Sequence, residues 1–168
     1  MENKELKFKK VDGTIIENAE KYVKDWTKEN PYGKVIIGVD SQCHSRRIKY
    51  SIIIAMHYVD KMQVGHGCHL LICDIWDKRI KASSPESEMS VKLWKEAELA
   101  LQTAELINGA DQFFKQRIEV HLDVNSEPRY DSHFMYAAGI GLLQSAGYHA
   151  LGKPFAKIAS NVADHFCR

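Results

Sequence analysis

Four carboxylates, Asp40, Glu96, Asp123 and Asp164, carry the chemistry this 168-residue chain suggests. Asp40 closes an apolar run, KVIIGVD, and Asp123 lies in an alternating run, RIEVHLDV. Glu96 falls inside a long helical stripe, and Asp164 follows Asn161 by three residues near the C-terminal end. Carboxylates gathered in one pocket repel one another and raise each other's pKa unless a cation neutralises them. Mg²⁺ or Mn²⁺ suits such a set, because hard cations prefer oxygen donors. With two ions about 3.5–4 Å apart, one activates water and the other stabilises the leaving oxygen of a phosphodiester. The bland alternative is that each acid is ordinary, since an acid at a strand end is often a turn or helix-cap residue. What decides is whether the elements bring the four together.

Lys34 to Asp40 is short, apolar and β-branched, as a strand buried on both faces must be. Ile48 to Val59 and Val64 to Trp76 read as two further strands with a hairpin near Lys61, giving an antiparallel meander. From Val91 to Ile107, apolar residues recur at helical spacing, with Gly109 as the stop and Ser84-Pro85 as a candidate cap. The segment 77–90 reads as a loop. Arg117 to Val124 alternates, placing Glu119, His121 and Asp123 on one face. A helix over 130–145, a short edge strand over 148–152 and a last helix ending near Phe166 complete the chain. Before the meander, Thr14 and Glu17 have capping-box spacing at the head of a helix that Asn30-Pro31 and Gly33 end, behind a charged arm.

The expectation is one α/β domain spanning residues 1–168, with 1–30 an N-terminal arm and helix. It has a mixed five-stranded sheet, a three-stranded antiparallel meander plus two parallel strands, flanked by helices. A meander followed by alternating helix and strand is the ribonuclease H-like order, in which the strands ending at Asp40 and Asp123 are sheet neighbours. Gly38-Val39-Asp40-Ser41-Gln42 with His44, then Leu122-Asp123-Val124-Asn125, then Lys153-Pro154 with Ala159-Ser160-Asn161-Val162-Ala163-Asp164, strongly resemble the YkuK-like family of ribonuclease H-like proteins. The resemblance covers most of the chain after Pro31, and it implies that fold and an acidic site. It makes Asp40, Glu96, Asp123 and Asp164 the candidate catalytic and metal-holding residues. Ser41, Gln42, Asn125, Lys153 and Asn161 become candidates for contacting substrate.

Glu96 lies slightly nearer the apolar stripe than Glu98 at about 100° per residue, and Glu98 remains an alternative. Ser160 and Asn161, four and three residues before Asp164, share its helix face, whereas His165 points about 100° away. His44 follows the first acidic strand, where it could handle a proton near neutral pH; an exposed loop histidine is the plainer reading. His66, Cys68 and His69 lack a second ligand pair, so structural zinc is disfavoured. Arg46, Arg47, Lys49, Lys92, Lys95, Arg129 and Lys153 could surround the mouth and hold phosphates, although a solvated hairpin face serves Arg46 and Arg47 equally well. No aromatic platform for single-stranded bases is evident.

The formal net charge is only +1, so any nucleic-acid binding must rest on a local patch. Four cysteines without disulfide spacing, no bilayer-length apolar stretch and no secretion signal fit a reduced, cytoplasmic setting. The leading expectation is a Mg²⁺- or Mn²⁺-dependent nuclease acting on RNA, DNA or a hybrid; the alternative is an inactive module of the same fold that binds nucleic acid or protein. Proofreading-type exonucleases of the fold carry Asp-x-Glu where this chain has Asp40-Ser41-Gln42, which weighs against that subtype. A typical ribonuclease H's glycine-rich loop and basic handle are not apparent. A small-molecule hydrolase is weaker still, for want of a nucleophile elbow or phosphate loop.

Overall fold

The computed structural model describes residues 6–79, 83–109 and 111–167, and the side chains of residues 112 and 113 lie outside the description. Two short strands, β1 (Phe8–Lys10) and β2 (Ile15–Ile16), precede helix α1 (Ala19–Glu29). Then come β3 (Lys34–His44), β4 (Arg47–Val59), β5 (Gly65–Lys78), helix α2 (Pro85–Asn108) and the short helix α3 (Gln112–Lys115). Strand β6 (Ile118–Asn125), a 3₁₀ turn over 131–135, helix α4 (Tyr136–Ser145) and β7 (His149–Lys153) follow. A wide π-type turn over 158–163 leads into α5 (Asp164–Cys167).

The described strands form one sheet in the order β2-β1-β5-β4-β3-β6-β7. Its central five strands have the expected arrangement: β3, β4 and β5 are an antiparallel meander, and β6 and β7 add in parallel beyond β3. The expected count of five was too low. Strands β1 and β2 pair antiparallel with each other, and β1 pairs with β5, extending the sheet to seven strands. Ile15 and Ile16 therefore belong to a strand, and the Thr14–Glu17 capping box does not form. Asp12 instead accepts from the Thr14 amide at 2.9 Å to make the β1–β2 turn. Asn18 caps α1, accepting from the Lys21 amide at 2.8 Å.

The expected loop over 77–90 is shorter than its polarity suggested. Lys78 still belongs to β5, and α2 begins at Pro85 with Ser84 accepting from the Ser87 amide at 3.2 Å; residues 80–82 of that span lie outside the described residues. Gly109 ends α2 with φ +56°, where a Cβ would be strained. The helix expected over 130–145 has a tighter first turn, and the last helix is unwound to a wider pitch through residue 163.

The two sheet faces are covered unequally. Val35, Ile37, Val39, Ile52, Ile54, Leu71, Val120 and Leu122 pack with α1, α2 and α4 in the main core. A smaller cluster on the other face, Ile36, Ile53, Ala55 and Ile72, is closed by Ile158 and Ala163 of the C-terminal segment. Gly38 permits that closure: a Cβ there would stand 2.8 Å from the Ala159 backbone nitrogen.

Candidate active site

The parallel pairing of β3 with β6 runs from Val35↔Ile118 to Val39↔Leu122 and goes no further. The next residue on each strand is an aspartate, Asp40 and Asp123. Val39 and Leu122 face the main core, so alternation turns both aspartates to the opposite face, under the C-terminal segment. Pairing of β6 with β7 also shifts register between His121 and Asn125. The sheet is thus loosened on both sides of Asp123.

Asp123 Oδ1 accepts from Lys153 Nζ at 2.8 Å and from Ser160 Oγ at 2.7 Å. Lys153 ends β7, and Ser160 lies on the wide turn, so three elements meet at this carboxylate. Burial pushes the Asp40 carboxyl up to about 6; the charges of Asp123 and Asp164 add to the effect, while the Ser41 amide and Lys92 oppose it. Asp40, Asp123 and Asp164 therefore share one electrostatic neighbourhood.

Glu96 sits on the other side of the strand. It is 1% exposed, and its Oε1 accepts from Ser41 Oγ at 2.5 Å with Lys92 Nζ 3.9 Å away. Burial raises its pKa to about 8, with Asp40 and Asp123 contributing and Lys92 and Ser41 opposing. The choice between Glu96 and Glu98 is a matter of burial: Glu98 is half-exposed and accepts from Trp94 Nε1 at 3.0 Å. Ser41 faces Glu96, one residue along from Asp40 and on the opposite face, rather than the aspartates.

The C-terminal segment is held over the aspartates at both ends. His121 Nδ1 accepts from the Ile158 amide at 3.2 Å, which leaves Nε2 as the nitrogen that donates to Glu119 at 2.8 Å. At the other end, Lys49 Nζ donates to the Phe166 carbonyl. Cys167 Sγ donates to the carbonyls of Lys49 at 3.2 Å and Asp40 at 3.5 Å.

The remaining candidates divide. Gln42 is exposed on the Asp40 face, and Asn161 is exposed on the wide turn. Asn125 is spent on its own turn, with Oδ1 accepting from the Glu127 amide at 3.0 Å. His44 lies four residues beyond Asp40, about 13 Å by strand rise, with Nε2 3.4 Å from the Cys167 carbonyl and its ring beside Trp76. It is not brought to the carboxylates. The expected ring of cations is largely engaged elsewhere: Lys92 donates to the Ser41 carbonyl at 3.1 Å, Lys95 pairs with Glu98, and Arg129 with Glu127. His66 turns to Asp60 and His69 to the Tyr22 hydroxyl, so they do not share a zinc site.

Sequence reasoning passed over Gly38 and His121, which seat the C-terminal segment. A glycine inside an otherwise β-branched strand was the available signal for the first. Trp76 was also missed as an aromatic surface; it is 38% exposed, with the Arg47 guanidinium over its ring at 4.7 Å.

A meander joined by two parallel strands, with aspartates at the open ends of the two middle partners, defines an α/β domain of the ribonuclease H-like class. A family model described as ribonuclease H-like matches residues 14–168, and the chain belongs to that family, as the YkuK-like motifs implied. None of the curated proteins and none of the solved structures compared with the chain is a match. No described helix is long and apolar enough to cross a membrane.

The donor chemistry of Asp40, Asp123 and Asp164 fits a hard divalent cation, being all oxygen. Among the described residues, however, no three His, Cys, Asp or Glu side chains stand as a ready cage for a metal. Helix α2 packs Glu96 on the sheet face opposite the aspartates, against Ser41, and Lys153 rests on Asp123.

Proposed function

We propose that the chain is a divalent-metal-dependent nuclease that hydrolyses phosphodiesters of RNA, DNA or a hybrid at the Asp40–Asp123–Asp164 end of the sheet. The observation that carries this reading is the placement of Asp40 and Asp123 one step past the last β3–β6 pair, on one face, beneath the segment bearing Ser160 and Asp164. Asp40, Asp123 and Asp164 would hold Mg²⁺ or Mn²⁺, with Glu96 approaching from the far side of β3. Such ions, when bound, supply the positive charge that activates water and stabilises the leaving oxygen.

The chain's own groups have defined parts in this scheme. Lys153 pairs with Asp123 at 2.8 Å, and its ammonium would be the cation at hand for a substrate phosphate if Asp123 held a metal. Ser160 holds the Asp123 carboxylate in orientation. Burial and the neighbouring aspartates keep Asp40 eager for a counter-charge. The experiment is Mg²⁺- or Mn²⁺-dependent cleavage of labelled single strands, duplexes and hybrids by wild type and Asp40→Asn. Cleavage that needs the metal and vanishes in a folded variant supports the reading; cleavage that survives Asp40→Asn refutes it.

A second reading, a binding module that does not cleave, is favoured by one observation: Lys153 already neutralises Asp123 at 2.8 Å. In that case Asp40→Asn leaves affinity for nucleic acid or a protein partner unchanged, and no strand is cut.

A further inference from the structure

Trp76 lies on the same sheet face as Asp40. The register pairs Gln42 with Lys49 and Lys49 with Trp76, two residues along from the row of Asp40, Ser51 and Asp74. Residues opposed across a ladder share a face, and alternation puts Gln42 on that of Asp40. Two strand spacings and two residues separate Trp76 from Asp40, about 12 Å by the dimensions of a sheet. Helix α5 packs on β3 and β4, and the indole on β5 remains 38% exposed. The His44 ring stands against it with centroids 5.2 Å apart, and His44 Nε2 is itself 3.4 Å from the Cys167 carbonyl. The Arg47 guanidinium lies over the indole at 4.7 Å. An isolated surface aromatic is ordinary, but a ring held by a second ring and a guanidinium is a rigid platform that loses little freedom when a base covers it.

The charge around the platform suits a polyanion. Asp74 lies between Lys9 and Lys49, 3.8 Å from each, and Glu88 is paired with Arg79. Asp77 opposes Ile48 of the main core and so belongs to the other face. Arg46, Arg47 and Lys78 remain, and they outnumber Asp77 even when it is counted against them. This is the local basic patch that a chain of net charge +1 needs in order to hold nucleic acid. We propose that Trp76, with Arg47 beside it, is the stacking subsite for one base of a single-stranded nucleic acid whose backbone runs on to the Asp40–Asp123 end of the sheet. A duplex keeps its bases stacked on one another, so only an unpaired base presents its face to the ring. The separation of about 12 Å fits within single-strand sites, which hold about four nucleotides or more. The inference rests on the nucleic-acid reading of the aspartate face and narrows its substrate to single strands.

Labelled single strands of about 12 nucleotides, and their duplexes, titrated with the full chain in chelator at low salt and read by fluorescence anisotropy, test it without cleavage. The expected result is tighter binding of the single strand than of the duplex. Trp76→Leu, which keeps apolar cover but no ring, weakens single-strand binding about tenfold and leaves duplex binding unchanged. Trp76→Phe restores most of the loss. Arg47→Gln, at an exposed hairpin position, lowers the slope of log affinity against log salt by about 0.7 and serves as the second variant should Trp76→Leu unfold. Equal single-strand affinity in Trp76→Leu, an unchanged salt slope in Arg47→Gln, a preference for duplex, or equally tight binding of an oligoglutamate of the same charge overturns the proposal. Trp76-dependent binding with no metal-dependent cleavage removes the nuclease reading alone. Cleavage with Trp76-independent binding removes the stacking subsite alone.

Discussion

Replacing Glu96 with glutamine is expected to make the protein more stable at alkaline pH while changing little in acid. Glu96 is 1% exposed, and its pKa rises to about 8 from an ordinary 4.5, through burial first and then the charges of Asp40 and Asp123. The folded pKa is the higher one, so the stabilisation is fully present below 4.5 and is lost as pH climbs through 8. Each pH unit inside that window costs about 1.4 kcal/mol. Between pH 6 and 8 the wild type should therefore lose roughly 2–3 kcal/mol from this group alone. Asp40, raised only to about 6, has mostly finished titrating by then. Glutamine keeps the volume and the acceptor for Ser41 Oγ but has no proton to lose. Urea unfolding of both proteins at pH 5.5, 7 and 8 gives the comparison directly, with midpoints converging in acid and the variant ahead at pH 8. Parallel stability curves for the two proteins across that range would refute the assignment of Glu96 as a buried, neutral acid.

Further consequences can be measured. Gly38→Ala puts a Cβ 2.8 Å from the Ala159 backbone nitrogen; it should cost about 1–3 kcal/mol in urea unfolding as the C-terminal segment is pushed off β3. Lys153→Gln removes the cation 2.8 Å from Asp123, so Mn²⁺ should bind more tightly by calorimetry while nucleic acid binds more weakly. Mn²⁺ affinity should rise from pH 5 to pH 8 as Asp40 and then Glu96 give up their protons, since ligands must be deprotonated to bind metal. A flat affinity profile across that range would show that neither acid takes part.

The parts of the fold that could be read in advance are those governed by periodicity. Strands β3 to β6 announce themselves through β-branched runs and the clean alternation of RIEVHLDV, and that alternation correctly puts Asp123 on the face away from the main core. Glu96 and Glu98 lie about 160° apart around α2 at 100° per residue, and the one nearer the apolar stripe is the buried one. Strands β1 and β2 were illegible because three and two residues are too few to show a period, and the Thr14–Glu17 spacing imitated a helix start that Asn18 supplies. The wide turn over 158–163 has no local signature, and the residues it packs on, Gly38 and His121, are far away in sequence. Long-range pairings were hidden for the same reason. Nothing near Lys153 says that its ammonium rests on Asp123, or near Ser41 that its hydroxyl serves Glu96. That last pairing matters most for the site, since it turns an expected cluster of four carboxylates into three aspartates on one face and a buried acid on the other.

Anomalous scattering from crystals of the full chain soaked in Mn²⁺ addresses the main proposal most directly. The account predicts a peak bridging the carboxylates of Asp40 and Asp123, about 2.0–2.3 Å from their oxygens, with Lys153 displaced. Manganese found only at other positions, with Lys153 still paired to Asp123, would contradict it.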